Sequence, residues 1–185
     1  MRTSPTTLLQ DERSNAQVSI GSTIQIAGPL TSVFDLITTP HFWPRWHPAT
    51  LNVYGVTERP MMIGDVIYES AKIGARIYNV TWTVIELAQY SRVVLRSASG
   101  RTRIIYNFSG CGLTTEFQRT LLYHPDTFLC PENSCATIHT LMEQQSTQAL
   151  QQLQQLVTQL LGYHEQTLQE VISWAYQRGP CSPIH

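Results

Sequence analysis

The stretch TIHTLMEQQSTQALQQLQQLVTQLL, residues 137–161, decides the fold. Its apolar residues recur at helical spacing, whereas glutamine fills the opposite side. They form one broad stripe: Ile138, Leu141, Met142, Ala149, Leu150, Leu153, Leu156, Val157, Leu160 and Leu161. We therefore predict a long amphipathic helix over 138–161, which would span about 36 Å.

The chain before this helix carries seven strand-like runs. The first is QVSIGSTIQIA, residues 17–27, where apolar and polar residues alternate with the period of a half-buried strand. Short connections with turn residues favour antiparallel pairing, because parallel crossovers need a dozen or more residues. The remaining runs lie at roughly 50–58, 65–73, 76–87, 91–99, 102–109 and 112–123.

Two short helical segments separate the first two strands. Pro29 suits the start of a helix, and residues 29–38 have the spacing of a short amphipathic helix. Residues 41–48, HFWPRWHP, contain two prolines and predict a turn or helical fragment. The resulting fold class is α+β: a curved seven-stranded antiparallel sheet wrapped around the C-terminal helix. A cavity should remain where sheet and helix do not touch.

Composition places the chain among single globular domains. It has 185 residues, a mass of 21.0 kDa, a net charge of −1 and a sequence pI near 6.6, which disfavours nucleic-acid binding. No apolar run approaches the ~18–20 residues needed to insert into a membrane, and no signal peptide is visible, so we expect a cytoplasmic protein. None of the four cysteines forms a Cys-x-x-Cys pair, which indicates free thiols.

Several short sequence segments resemble those of the START-like superfamily, also called SRPBCC, which includes the polyketide cyclase/dehydrase and lipid-transport group. The resemblance covers about residues 17–162. The matching segments are IAGPLTSVFDLI (26–37), Trp-His-Pro (46–48), Gly-Asp (64–65), WTVIELAQYSRVVLRS (82–97) and GLTTEFQR (112–119).

The resemblance implies the helix-grip fold, with a deep hydrophobic cavity between sheet and helix. Members bind lipids, sterols, quinones, aromatic polyketides or plant hormones, and some are cyclases without a cofactor. We divide the chain accordingly into a flexible tail (1–16), a ligand-binding domain (17–162) and a helical extension with a tail (163–185).

The last strand carries the main candidate for chemistry. Alternation over 112–123 groups Leu113, Thr115, Phe117, Arg119, Leu121 and Tyr123 on one face, and because this face is the more apolar it should line the cavity. A desolvated guanidinium needs an anion or several acceptors. Arg119 is therefore a fork for a ligand carboxylate or enolate, a structural partner of Glu69 or Glu86, or a side chain that reaches the mouth of the pocket.

Aromatic residues supply the rest of the predicted ligand site. Tyrosines would give an apolar pocket a few polar groups, although ordinary core packing explains each aromatic residue equally. The complete candidate set is Trp46, Tyr68, Tyr78, Trp82, Tyr106, Phe108, Phe117 and Arg119.

Histidines give weaker candidates. His41 and His47 flank the proline-rich segment, and either could serve as a general base. The catalytic candidates are Arg119, Tyr106 and His47; we expect neither a metal nor a cofactor, since no third metal ligand is near and no nucleotide or hydrolase motif appears.

Three functions compete. The first is a carrier or sensor for a small hydrophobic, ring-containing or lipid-like molecule. The second is a cofactor-independent polyketide cyclase or dehydratase. The third is an interaction module, including a homodimer, in which the C-terminal helix binds a partner. Apolar residues that continue the helical phase past Gly162 motivate this third reading: Leu168, Val171, Ile172 and Ala175.

Overall fold

A computed structural model of the chain describes the backbone of residues 17–128 and 135–177. It describes the side chains of the same residues except 111, 135 and 163–177. The strands are β1 Val18–Ala27, β2 Thr50–Gly55, β3 Val66–Ile73, β4 Arg76–Ala88, β5 Arg92–Ser97, β6 Thr102–Cys111 and β7 Thr114–Tyr123. The helices are α1 Leu30–Thr38, α2 Trp43–Trp46 and α3 Cys135–Gln177, with 3₁₀ turns at Pro40–Phe42 and Pro125–Thr127.

All seven strands form one antiparallel sheet in the order β1-β7-β6-β5-β4-β3-β2. The sheet curls into a half-barrel that faces α3, and α1 and α2 follow β1. The predicted α+β helix-grip architecture is therefore confirmed.

The stripe on α3 packs into the concave face of the sheet. Seven of its ten predicted members are buried: Ile138, Met142, Ala149, Leu150, Leu153, Leu156 and Val157. The backbone remains helical through Gly162 to Gln177. The apolar residues predicted to continue the stripe beyond Gly162 lie outside the described side chains, so the extension's role and the domain boundaries stay predictions.

Strand β1 packs directly against α3. The Ser22 and Ser146 hydroxyls lie 3.0 Å apart, and Ser146 is buried. At the end of β1, a Cβ on Gly28 would lie 2.8 Å from the Leu161 side chain and 3.1 Å from Val33. The absence of a side chain at Gly28 thus allows α3 and α1 to approach the same point of the sheet.

The first two helices close one end of the sheet. Helix α1 begins at Leu30, one residue after the extended Pro29, and buries Val33, Phe34 and Ile37. The indole Nε1 of Trp43 donates to the Ile37 carbonyl at 3.0 Å, which fixes α2 against α1. None of the helices in the described part of the chain combines the length and hydropathy needed to cross a membrane.

Candidate functional site

A cavity of about 320 Å³ lies between the concave face of the sheet and α3. Its wall includes three tryptophans, Trp43, Trp46 and Trp82, and Met142 of α3 lies on the helix side. The size is at the lower end of the range for small-molecule pockets, which are typically ~300–1,000 Å³. The cavity predicted from the strand and helix arrangement is therefore present.

Five of the eight predicted ligand-site residues line this cavity. They are Trp46, Tyr78, Trp82, Tyr106 and Arg119. The Tyr78 hydroxyl donates to the Phe128 carbonyl at 3.3 Å, and the two rings are 5.3 Å apart. Ligand binding by these residues stays a prediction, since only their placement is observed.

Phe108 and Phe117 are buried but do not line the cavity. Their rings lie 5.1 Å apart, and the ring of Phe34 lies 4.9 Å from that of Phe108. Helix α1 places Phe34 over this end of the sheet, so both residues belong to a solid aromatic core. Leu113, predicted on the same face as Phe117, is 74% exposed because it lies in the turn between β6 and β7.

The prediction that Tyr68 belongs to the ligand site was wrong. Tyr68 is 52% exposed on the convex side, whereas Ile67, Glu69 and Ala71 are buried on the concave side. Lys72 shares the Tyr68 face and is exposed. The alternation that includes Ile73, which is also buried, would have indicated the correct face.

Glu69 lines the cavity, although the sequence indicated it only as a possible partner of Arg119. It is 8% exposed. Its Oε1 accepts from the Thr50 hydroxyl at 2.5 Å, and its Oε2 accepts from the Trp82 indole Nε1 at 2.7 Å. The two oxygens thus both act as acceptors, as in a carboxylate.

Arg119 also lines the cavity, beside Tyr106. The two residues are directly paired in the β6–β7 ladder, and Arg119 is 5% exposed. Burial raises the pKa of the Tyr106 hydroxyl to about 12; the positive charge and hydrogen bond of Arg119 lower this pKa in part, and the negative charge of Glu69 raises it. Tyr106 is therefore a protonated hydroxyl at neutral pH.

The ion pair predicted for Arg119 with Glu69 or Glu86 is absent. Glu86 instead accepts from Arg92 Nε at 2.7 Å on the outer surface. Among the described residues no salt bridge joins Glu69 to Arg119, and Arg119 Nε has no hydrogen-bond partner there. The register of the β4–β5 pair shifts between Val84 and Glu86, and the Glu86 side chain is half exposed.

Two further lining residues carry unpartnered nitrogens. Both ring nitrogens of His47 and the indole Nε1 of Trp46 are buried without a hydrogen-bond partner among the described residues. The rings of these neighbours are 5.6 Å apart. Burial, with a smaller contribution from the charge of Arg119, lowers the pKa of His47 well below its usual 6.5, so its imidazole is neutral at pH 7.

His41, the other histidine candidate, does not reach the cavity. It is exposed and lies 3.5 Å from Glu58 across the outer surface. In the described parts of the chain, no three His, Cys, Asp or Glu residues are grouped so that they could hold a metal ion.

Because His47 is neutral in the folded state, we expect acid to destabilise the protein through this residue. The unfolded chain takes up the proton near pH 6.5, whereas the folded state resists it to a much lower pH. Stability is therefore full above pH 6.5 and falls below it, by up to ~1.4 kcal/mol per pH unit. Urea unfolding between pH 7.5 and 5.5 measures this, and His47→Gln should remove that part of the slope.

The matched control is His41→Gln, which changes an exposed histidine and leaves the carboxylates alone. It should keep the wild-type pH slope. Equal slopes for His47→Gln and the wild type would contradict a neutral buried His47.

Comparison with known proteins identifies relatives of this architecture. A family model described as polyketide cyclase/dehydrase and lipid transport matches residues 17–158. No curated protein matches the chain. Several solved structures do, at sequence identities so low that they show the fold alone.

Three of these solved structures share the fold of this chain at 11–14% sequence identity. The Zhui aromatase/cyclase from Streptomyces sp. R1128 has a TM-score of 0.64 and 14% identity, over 79% of this chain and 96% of that chain. A START superfamily protein from Mycobacterium smegmatis has a TM-score of 0.62 and 13% identity, over 77% and 98%. Major latex-like protein 151 from Panax ginseng has a TM-score of 0.56 and 11% identity, over 75% and 95%.

Proposed function

The chain belongs to the polyketide cyclase/dehydrase and lipid transport family, and from this premise we propose that it carries or senses a small hydrophobic, ring-containing or lipid-like molecule in its cavity. The observation that carries the proposal is the hollow of about 320 Å³ between the sheet and α3. A ligand in this hollow would contact wall atoms that the protein's own side chains leave unpacked.

The composition of the wall supports a ring-containing ligand. Trp43, Trp46, Trp82, Tyr78 and Phe128 contribute flat aromatic surfaces around one space. Burial of apolar ligand surface there would contribute ~25 cal/mol per Å². The few polar side chains, chiefly Arg119 and Tyr106, would fix the orientation of the ligand.

The test is a titration of the full chain with N-phenyl-1-naphthylamine, an uncharged fluorescent probe. We expect a saturable rise in probe emission together with quenching of tryptophan emission, because three of the four tryptophans line the cavity. A probe that gives no saturable signal would refute the proposed function. Native mass spectrometry of the purified chain should in addition reveal a co-purifying small molecule.

A cyclase is the second candidate, and one observation favours it. The protonated Tyr106 hydroxyl lies beside Arg119 at the floor of the cavity, where the pair could stabilise an enolate oxygen. A carrier returns its ligand with unchanged mass, whereas a cyclising dehydratase returns it lighter by one water per ring closed. The mass of the ligand recovered after incubation therefore distinguishes a carrier from a cyclising dehydratase, and its ultraviolet spectrum distinguishes a carrier from a cyclase that closes a ring without loss of water.

A further inference from the structure

The cavity contains two opposite charges that do not neutralise each other by direct contact. Glu69 lies on β3 and Arg119 on β7, and three strands of the curved sheet separate them. Both side chains line the same cavity and both are more than nine-tenths buried. No salt bridge joins them among the described residues. A ligand in the cavity would therefore meet an anion on β3 and a cation on β7.

Glu69 has capacity for a further hydrogen bond. A carboxylate offers about four lone-pair positions, and the Thr50 hydroxyl and the Trp82 indole occupy one on each oxygen. These two donors also hold the carboxylate in one orientation. It can thus accept from a hydroxyl or N–H group of a ligand without moving.

The charges of the described lining residues sum to zero. Glu69 contributes one negative charge and Arg119 one positive charge, and His47 is neutral at pH 7. An uncharged ligand preserves this balance. A ligand carboxylate would pair with Arg119 but would leave the cavity with one uncompensated negative charge near the Glu69 carboxylate, which is costly because both charged wall residues are buried.

Given the proposed function, we propose that the cavity selects uncharged oxygenated ring compounds that present a donor to Glu69 and an acceptor to Arg119, and that Glu69 excludes carboxylate-bearing ligands such as fatty acids. This makes Glu69 a specificity-determining residue. Its effect comes from repulsion of the wrong ligand as well as attraction of the right one.

The test uses three naphthalenes of almost equal size. Methyl 6-hydroxy-2-naphthoate is uncharged and has both a donor and an acceptor, 6-hydroxy-2-naphthoate replaces the ester with a carboxylate, and methyl 6-methoxy-2-naphthoate lacks the donor. Calorimetric titration of the full chain at pH 7 should show the hydroxy ester binding at least ~10-fold tighter than either of the others. Equal or tighter binding of the carboxylate, or of the methoxy ester, would overturn the proposal.

The Glu69→Gln variant tests the cause of this preference. Glutamine can still accept from Trp82 and donate to Thr50, so the wall keeps its hydrogen bonds while its net charge becomes +1. We expect the preference for the hydroxy ester over the carboxylate to shrink by ~10-fold or more, or to reverse. The control is Glu116→Gln, because Glu116 is exposed on the outer face of β7 and bonded to Gln25; this variant should keep the wild-type ratio.

A ratio that stays unchanged in Glu69→Gln would overturn the proposal even if the wild type prefers the ester. If N-phenyl-1-naphthylamine binds but none of the three naphthalenes does, the selectivity proposal is wrong and the proposed carrier function stands. If no probe of any kind binds, the carrier function itself is wrong.

Discussion

Substitution of Ala71 by phenylalanine is expected to weaken binding of N-phenyl-1-naphthylamine by ~100-fold or more, which corresponds to about 2.7 kcal/mol. Ala71 lies on the concave side of β3, pairs with Thr50 and Tyr78 on the neighbouring strands and lines the cavity. A phenyl ring added there enters the empty space. Since a cavity of about 320 Å³ is already small for a ligand, little room for the probe would remain.

The fold should survive this substitution. The new ring occupies existing space instead of displacing packed atoms, so the usual cost of overpacking, ~1–3 kcal/mol, should be largely avoided. We expect the thermal midpoint of the Ala71→Phe variant to be within a few degrees of the wild-type value.

The matched control is Lys72→Phe, which adds the same ring one residue later on the exposed convex side of β3. It should bind the probe as the wild type does. Normal probe affinity in a folded Ala71→Phe variant would place the binding site outside the cavity and refute the carrier assignment.

The architecture could be predicted because each of its determinants is a local pattern. Period-two alternation identified the seven strands, and the stripe on residues 138–161 identified the helix that covers them. The same alternation placed Arg119 on the concave face correctly, since its neighbours Phe117 and Leu121 are both strongly apolar.

Alternation on β3 was misread because Glu69 interrupts the face that carries Ile67 and Ala71. One side carries Val66 and Tyr68, and the other carries Ile67, Glu69 and Ala71. A buried carboxylate makes the inward face look polar, and only its hydrogen bonds with Thr50 and Trp82 compensate for that burial. These partners are distant in sequence, so a single-strand pattern could not reveal them.

The sequence also could not predict which residues on the inward face of a strand line the cavity and which lie in solid core. On β6, Tyr106 lines the cavity while Phe108, two residues later on the same face, lies in solid core. The boundary depends on where α1 places Phe34 against the sheet. Alternation identifies a face, but the end of the sheet that a helix covers is a tertiary property.

Substitution of Trp46 by alanine should lower the free energy of unfolding by ~3–5 kcal/mol, because it removes a fully buried large side chain from the cavity wall. Trp46 is 1% exposed and is among the largest fully buried side chains. It ends the four-residue helix α2, which has too few residues to be stable without such packing. Urea unfolding of the two proteins measures the difference.

Phenylalanine at the same position separates packing from hydrogen bonding. The Trp46 indole Nε1 has no partner among the described residues, so Trp46→Phe removes an unsatisfied buried donor together with part of the ring. At Trp43, by contrast, the same change breaks the bond to the Ile37 carbonyl and leaves that acceptor buried. Trp43→Phe should therefore cost ~1 kcal/mol more than Trp46→Phe. A larger loss for Trp46→Phe would mean that the Trp46 N–H has a partner in the folded protein, such as a ligand or an ordered water, and that its role is polar as well as apolar.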